Sequence, residues 1–325
     1  MKVNLKNVLG RTALVVIAAL LPIFAGGNSY FLDFAIFAGI YFIVSLGLVM
    51  LFGLAGQLSL AHAAFFGIGA YTSAIAYTEF GVPVLVGLVG GIALAGIVAF
   101  ALARPIFRLR GFYLAMATLA FGEIAVNVFE QEIWLTRGSA GIVGLPFPEL
   151  FGFTFDSPVS YYYLVAVLAG IAVWLSTNVS RSDVGRSLRA IAGSEVGATA
   201  SGVDVGRTKT WIFVLSAGLA ACGGTLYVHY NAIINPSNFD VDFAVLIVMV
   251  LAVGGTNSVL GAFLGASLLV TLPNLLSSYP RVSQLAFAVV VLAVVALLPR
   301  GLAGVLTGAI AGIVRLLTPR TRVNR

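Results

Sequence analysis

The sequence predicts an all-α, polytopic membrane protein of about ten transmembrane helices, some of them short or broken. Composition is the first observation, because 60% of the 325 residues are hydrophobic and only 9% are charged. A soluble domain is roughly 25% charged, so this chain has too few charges to cover a surface in water. The second observation is that the charges flank long apolar runs, as expected when the bilayer is the solvent.

Apolar runs give the helices in order, because a span needs about 20 apolar residues to cross about 30 Å of hydrocarbon. The predicted spans are residues 12–27, 33–52, 62–79, 84–103, 112–131, 160–178, 210–230, 242–254, 259–277 and 284–299. The tail from Gly301 either lies along the membrane interface or forms a further half-span. No linker separates parts of the chain, so residues 1–325 are interpreted as one membrane domain.

The basic residues orient these spans. With the N-terminus in the cytoplasm, all of the 18 Lys and Arg residues except Arg137 and Arg281 fall in inside segments, and the opposite orientation inverts that ratio. Residues 13–25 are interpreted as the first span and not as a signal peptide, because no cleavage site with a hydrophilic domain follows them. The expected location is the cell membrane, and the positive-inside rule accounts for the net charge of +6 without a nucleic-acid partner.

One inside loop, residues 181–209, carries the signals of two short cytoplasmic helices. The first is predicted over residues 181–193. Ser182 or Asp183 can cap its N-terminus, and Gly193 is expected to end it in the left-handed conformation.

The second helix of this loop follows at once. Ser194 is its expected cap, Glu195 is favourable at its positive end, and Gly202 is expected to end it. Small side chains occupy residues 196–201, which suits a helix that docks in a groove of a partner protein. A solvated loop without a partner is the alternative.

Several motifs then resemble one family. Residues 185–209 are similar to the coupling loop of branched-chain amino acid ABC transporter permeases, and specifically of their M-type subunit. Five further stretches resemble motifs of this family, namely residues 53–71, 118–124, 135–142, 251–261 and 299–302. The chain departs from the family at residues 192–195, where Ala-Gly-Ser-Glu replaces the usual Arg-Glu-Asn-Glu, and at Gly197, where alanine is usual. These departures alter the charge pattern of the expected ATPase contact and weaken any inference about the solute.

The resemblance implies an ABC importer permease fold and a complex of several chains. A homologous H-type permease completes the membrane unit, two cytoplasmic ATP-binding subunits use ATP and Mg²⁺, and an extracytoplasmic substrate-binding protein docks on the outer loops 134–157 and 231–242. The residues that the resemblance assigns to ATPase coupling are Arg186, Arg189, Glu195, Ala198 and Gly202. The sequence itself contains no Walker-type Gly-x-x-x-x-Gly-Lys-[Ser/Thr] run and no catalytic constellation, so no enzyme activity, metal or cofactor of its own is expected.

Two glycine-rich stretches, residues 53–69 and 254–258, indicate breaks in membrane helices. Such breaks occur where the backbone faces protein or a watery cavity. Both stretches contain Gly-x-x-Ser, which indicates an internal repeat or a chance similarity. If the broken ends face a solute pathway, a carboxylate could bind there; alternatively, the glycines serve close helix packing. The candidate pathway residues of the two breaks are Gln57, Ser59, Thr256, Asn257 and Ser258.

Two ionisable residues join these pathway candidates. Glu123 is the one acid well inside a predicted span and shares a helix face with Asn127 and Glu130. It either lines the pathway or serves a structural hydrogen bond. His62 is either protonatable or a neutral histidine that is bonded to the backbone.

The leading hypothesis is therefore the permease subunit of an ATP-driven importer for branched-chain amino acids or a related small solute. Urea, short amides and small aromatic or aliphatic carboxylates are alternative solutes within the same family. An ion-coupled secondary carrier is the alternative class, but it requires mid-span acids, and only Glu123 qualifies.

Overall fold

The computed structural model describes residues 29–275, 280–298 and 301–306, together with Pro22 and Gly308. The helices in chain order are α1 (Ser29–Leu48), α2 (His62–Phe80), α3 (Val84–Ile106), α4 (Phe112–Gln131), α5 (Ile133–Thr136), α6 (Pro158–Arg181), α7 (Asp183–Gly193), α8 (Glu195–Ala200), α9 (Val205–Asn231), α10 (Val241–Gly254), α11 (Val259–Leu275) and α12 (Pro280–Leu297). Four two-residue strands also form, namely β1 (Ile142–Val143), β2 (Glu149–Leu150), β3 (Phe153–Thr154) and β4 (Ile233–Ile234).

The spans predicted from 33–52 onward all coincide with helices of the structure, and the predicted span 12–27 lies outside the described residues. By length and composition, 6 helices of the described part can cross a membrane, and Val259–Leu275 and Leu285–Leu297 are shorter apolar helices. The all-α, multi-pass architecture is thus confirmed, whereas the predicted count of about ten spans is not.

Helices α1, α2 and α9 form the packed centre, and glycine lets their backbones approach. A Cβ added to Gly224 of α9 would lie 2.7 Å from the carbonyl carbon of Phe66 in α2. A Cβ on Gly69 of α2 would lie 2.5 Å from the Cα of Ala221 in α9. In lipid there is no hydrophobic driving force between helices, so close van der Waals packing at small residues stabilises their contact instead.

The loops group on two sides as the charge pattern predicts. Arg110, in the loop between α3 and α4, forms an ion pair with Glu195 of the predicted inside loop. On the other side, β1 pairs antiparallel with β4, so that Ile142 lies opposite Ile234. This ladder joins the two predicted outer loops into one surface.

Two local predictions are wrong in detail. Gly193 is the last residue of α7 and is not left-handed, because Ser194 follows in an extended conformation and connects directly to α8. The first break was predicted over residues 53–69, but α2 begins at His62. The irregular backbone therefore ends at Ala61, and residues 62–69, about half of the predicted segment, belong to an ordinary helix.

Candidate functional site: the inside loop and the two helix breaks

Serine side chains begin both helices of the inside loop. The Ser182 hydroxyl accepts the Gly185 N–H at 3.3 Å, and the Ser194 hydroxyl accepts the Gly197 N–H at 3.1 Å. The segment ends at Gly202, whose φ of +83° is the left-handed conformation that favours glycine. These caps confirm the two-helix interpretation and fix α8 between two defined turns.

The inside loop is anchored on the membrane domain and is not simply solvated. Leu188 and Ile191 of α7 are 0% and 2% exposed, and Ala198 of α8 is 3% exposed. Val196 is 75% exposed on the other side of α8. The loop therefore has one face on the helices of this chain and one free face.

The residues predicted to couple to an ATPase divide between these two faces. Arg186 and Arg189 are exposed on α7; Arg186 pairs with Asp183, and Arg189 donates to the Ser180 carbonyl at 2.9 Å. Gly202 is also exposed. Ala198, by contrast, lies on the face that packs on the helices of this chain. The structure thus brings part of the predicted set, and not all of it, to the surface.

Glu195 lies between two cations that belong to other elements. Its carboxylate pairs with the ammonium of Lys209 in α9, and its other oxygen lies 3.2 Å from the Nη2 atom of Arg110. Lys209 is 1% exposed. The sequence did not indicate Lys209 and Arg110 as partners of Glu195. The positive-inside rule by itself already accounts for a basic residue at the inner end of a span.

A cavity of about 350 Å³ lies beside this cluster. Gln57 and Gly56 of the first break line it on one side, and Ser194 and Glu195 of the inside loop line it on the other. The inside loop and the first break are therefore neighbours, and beside this space they also meet directly, since a Cβ on Gly56 would lie 3.6 Å from the Cβ of Ala192 in α7.

The first break runs from a π-helical turn at Val49–Leu54 to the start of α2. Gly56 has a φ of +68°, and the Ser59 hydroxyl accepts the Ala61 N–H at 3.3 Å. Gln57 donates to the Ala55 carbonyl at 3.1 Å. Gln57 and Ser59 are 9% and 2% exposed, so their side chains mainly satisfy this segment's own backbone.

The second break repeats this geometry between α10 and α11. Gly255 has a φ of +114°, and the Ser258 hydroxyl accepts the Gly261 N–H at 3.1 Å. Thr256 is half-buried and Asn257 is exposed. In both Gly-x-x-Ser motifs, then, the glycine has a positive φ and the serine hydroxyl accepts a nearby backbone N–H; Ser258 directly precedes α11, whereas Ser59 lies three positions before the first residue of α2.

The two breaks touch each other. A Cβ on Gly53 would lie 2.8 Å from the Oδ1 atom of Asn257. Glycine is therefore required at residue 53 for the two broken segments to meet. Their contact supports the interpretation that both belong to one functional region, which sequence separation alone cannot show.

The helices on either side hold the first break in place. The Thr118 hydroxyl of α4 accepts the Leu60 N–H at 3.0 Å. The Nε2 atom of His62 lies 2.7 Å from the Ser216 hydroxyl of α9. His62 is 2% exposed, so it is a buried partner of a side chain and is not bonded only to the backbone.

Glu123 lies on the exposed side of α4. Asn127 is also exposed, and its amide donates to the backbone carbonyl of Glu123 at 2.8 Å, leaving the carboxylate without a protein partner among the described residues. A carboxylate in the middle of a span is unfavourable in lipid and faces protein or water instead.

The outer surface is organised around a second buried histidine. The Nδ1 atom of His229 in α9 lies 2.8 Å from the Pro146 carbonyl, and its Nε2 atom lies 2.9 Å from the Ser73 hydroxyl of α2. Within the two loops, the Asn235 amide donates to the Ser139 carbonyl at 3.1 Å. The histidine thus attaches the first outer loop to the packed centre, and the Asn235 bond joins the second outer loop to the first.

The sequence is similar to a known protein family and to several of its members. The model of a family described as branched-chain amino acid transport system / permease component matches residues 30–299. The chain is 30% identical to the high-affinity branched-chain amino acid transport system permease protein LivM of Salmonella typhimurium, over 92% of this chain and 75% of that protein. It is 28% identical to LivH of Escherichia coli, over 81% of this chain and 91% of that protein. The autoinducer 2 import system permease protein LsrC of Klebsiella pneumoniae is 30% identical over 46% of this chain and 45% of its own length. No solved structure gives a significant match.

Proposed function

The chain belongs to the family of branched-chain amino acid transport permeases, and from this membership we propose that it is the M-type membrane subunit of an ATP-driven importer. It is a multi-pass membrane protein with a transport role. The match to LivM extends over more of this chain than the match to LivH does, which supports the M-type assignment.

The observation that carries the ATP-driven part of this proposal is the free face of the inside loop. Helices α7 and α8 stand outside the spans, are capped at defined residues, and expose Arg186, Arg189 and Val196. A short helix with one anchored face and one free face suits the groove of a partner. Two cytoplasmic ATP-binding subunits, which use ATP and Mg²⁺, are the proposed partners, and the N-terminus is proposed to lie on the same side.

An H-type permease is the proposed partner within the membrane. The chain resembles LivH as well as LivM, so the two permeases are homologues that can pair in a pseudosymmetric unit. The exposed mid-span face of α4 with Glu123 and Asn127 supports such a partner or a watery path beside it, because lipid is a poor solvent for a carboxylate.

The outer surface is the proposed dock of a substrate-binding protein. Its two loops are held as one surface by the β1–β4 ladder. Closure of the ATPases would draw the coupling helices together and switch the path between the permeases from outward-facing to inward-facing. Branched-chain amino acids are the proposed solutes, with Gln57, Ser59, His62, Glu123, Thr256, Asn257 and Ser258 in or next to the path.

Uptake by proteoliposomes that contain the complete importer tests this proposal. We expect uptake of radiolabelled leucine to require ATP on the side of the inside loop. We also expect deletion of residues 195–200 to abolish it; because this deletion also removes the counter-charge of the buried Lys209, membrane insertion is measured alongside uptake. Val196→Asp is a milder variant that places a charge on the free face of α8 without touching the anchored face, and it should reduce uptake in the same way.

The control separates this class of transporter from an ion-coupled carrier. Vesicles without ATP receive an imposed proton or sodium gradient. Leucine uptake that follows the gradient, or that persists after deletion of residues 195–200, would contradict the proposal.

A further inference from the structure

Lys209 is a cation in a buried site. Its side chain is 1% exposed, although it lies only in the second turn of α9. An ammonium that is removed from water requires a fixed counter-charge, because an unpaired buried charge is strongly unfavourable. Glu195 supplies this charge, and the ring of Phe107, whose centroid lies 5.7 Å from Nζ, adds a cation–π contact.

The same carboxylate holds a second cation, which belongs to the loop between α3 and α4. The Oε2 atom of Glu195 lies 3.2 Å from the Nη2 atom of Arg110, which precedes the first residue of α4 by two positions. Glu195 is itself the first residue of α8. One side chain on the inside loop therefore joins the inner ends of α4 and α9.

Each of these two helices is bonded directly to the first helix break. From α4, Thr118 accepts the N–H of Leu60 at 3.0 Å. From α9, Ser216 lies 2.7 Å from the imidazole of His62. The break thus lies between the two helices that Glu195 connects.

Space for a displacement lies between the loop and the break. The cavity of about 350 Å³ separates Gln57 from Ser194 and Glu195. Ser194 and Glu195, at the start of α8, face this cavity, whereas α7 contacts the break itself, because a Cβ on Gly56 would lie 3.6 Å from the Cβ of Ala192. A displacement of α8 can reach the break through the helices that its first residue holds.

We infer that Glu195 is a positioning residue that passes displacement of α8 to α4 and α9, and through them to the break that precedes α2. This inference rests on the proposed function, because α8 is displaced only if an ATPase partner binds its free face. It also gives Glu195 a role that differs from a contact with the ATPase. Val196 is directed to the partner, whereas Glu195 is directed to the membrane domain.

A double variant separates this role from a merely structural one. Glu195→Gln alone leaves Lys209 buried without a counter-charge, so it also impairs folding. In Glu195→Gln/Lys209→Met both charges are absent, and we expect normal insertion and normal co-purification of the complex. If Glu195 transmits displacement, the double variant still hydrolyses ATP, but leucine uptake per ATP hydrolysed falls by about 2-fold to about 30-fold.

Arg110→Gln is the second variant, because Arg110 is exposed at 72% and its loss does not threaten the fold. It should lower the ratio of leucine uptake to ATP hydrolysis by a smaller factor than the double variant does. Asp183→Asn is the matched control, since it removes an exposed ion pair of the same loop that touches neither α4 nor α9. We expect it to leave the ratio unchanged.

The outcomes are distinct. A wild-type ratio in both the double variant and Arg110→Gln would overturn the inference, because the ion pairs would then serve folding alone. Absence of ATP-driven leucine uptake in the wild-type complex would contradict the proposed function itself. An equal loss in Asp183→Asn would also overturn the inference, since any charge on the loop would then suffice.

Discussion

His229 and Ser73 are bonded to each other in the packed centre, with 2.9 Å between the imidazole Nε2 and the hydroxyl oxygen. The other ring nitrogen, Nδ1, donates to the carbonyl of Pro146 at 2.8 Å. Because a carbonyl can only accept, the proton is on Nδ1, and Ser73 donates to Nε2. A single neutral imidazole therefore links α2, α9 and an outer loop.

His229→Leu should destabilise the protein by about 1–3 kcal/mol, because it leaves the Pro146 carbonyl and the Ser73 hydroxyl without their partner in a buried site. Ser73→Ala should show a smaller loss. Thermal unfolding of the detergent-purified protein measures the effect. Thr72→Ala is the matched control, since among the described residues its hydroxyl bonds to Ile68 of its own helix. Equal melting temperatures for His229→Leu and Thr72→Ala would contradict the proposed link.

Gly224→Ala should be strongly destabilising, whereas Gly170→Ala should not. The added methyl group at 224 would lie 2.7 Å from the Phe66 carbonyl carbon, whereas no atom of the described residues lies within 4 Å of the corresponding atom at 170. We expect a loss of about 1–3 kcal/mol at 224 from overpacking and a gain of up to about 1 kcal/mol at 170 from the higher helix propensity of alanine. Thermal unfolding of the two single variants compares them directly. Similar losses at both sites would indicate that the α2–α9 contact is not close-packed.

The features predicted correctly are those that local chemistry determines. Apolar runs gave the helix positions because a span of lipid requires them. Ser182, Ser194 and Gly202 were predicted as caps because each acts within its own turn. Gly193 was wrong because Ser194 leads from α7 straight into α8 in an extended conformation, so no left-handed residue is needed there.

The features that sequence could not predict depend on contacts between distant segments. Lys209 and Glu195 are 14 positions apart. They belong to different helices, so no spacing along one helix indicates that they pair. The contact of Gly53 with Asn257 likewise requires the fold. Burial of His62 and exposure of Glu123 follow from how α2 and α4 pack, which hydropathy does not determine.

Glu123→Gln should reduce uptake without lowering the stability of this chain. Its carboxylate is exposed, and no partner of it lies among the described residues, so its removal leaves no group of this chain unpaired. A hydrogen bond to a charged group contributes about 1.5–3 kcal/mol, so uptake of leucine should fall about 10-fold to 150-fold. Glu130→Gln, on the same face at the end of α4, is the control. Unchanged uptake and stability would remove Glu123 from the mechanism.

Gly202 should tolerate asparagine but not alanine or valine. Its φ is +83°, and in the part of the chain that the structure describes no atom lies within 4 Å of an added Cβ, so backbone conformation is what constrains the side chain there. Asparagine visits this region readily, whereas other residues lose about 1–2 kcal/mol in the left-handed conformation. Because the turn at 202 sets the exit of α8 toward α9, Gly202→Val should increase proteolysis within residues 195–204 and lower leucine uptake. Gly202→Asn should leave both unchanged, and equal behaviour of the two variants would show that the left-handed turn does not hold α8 in place.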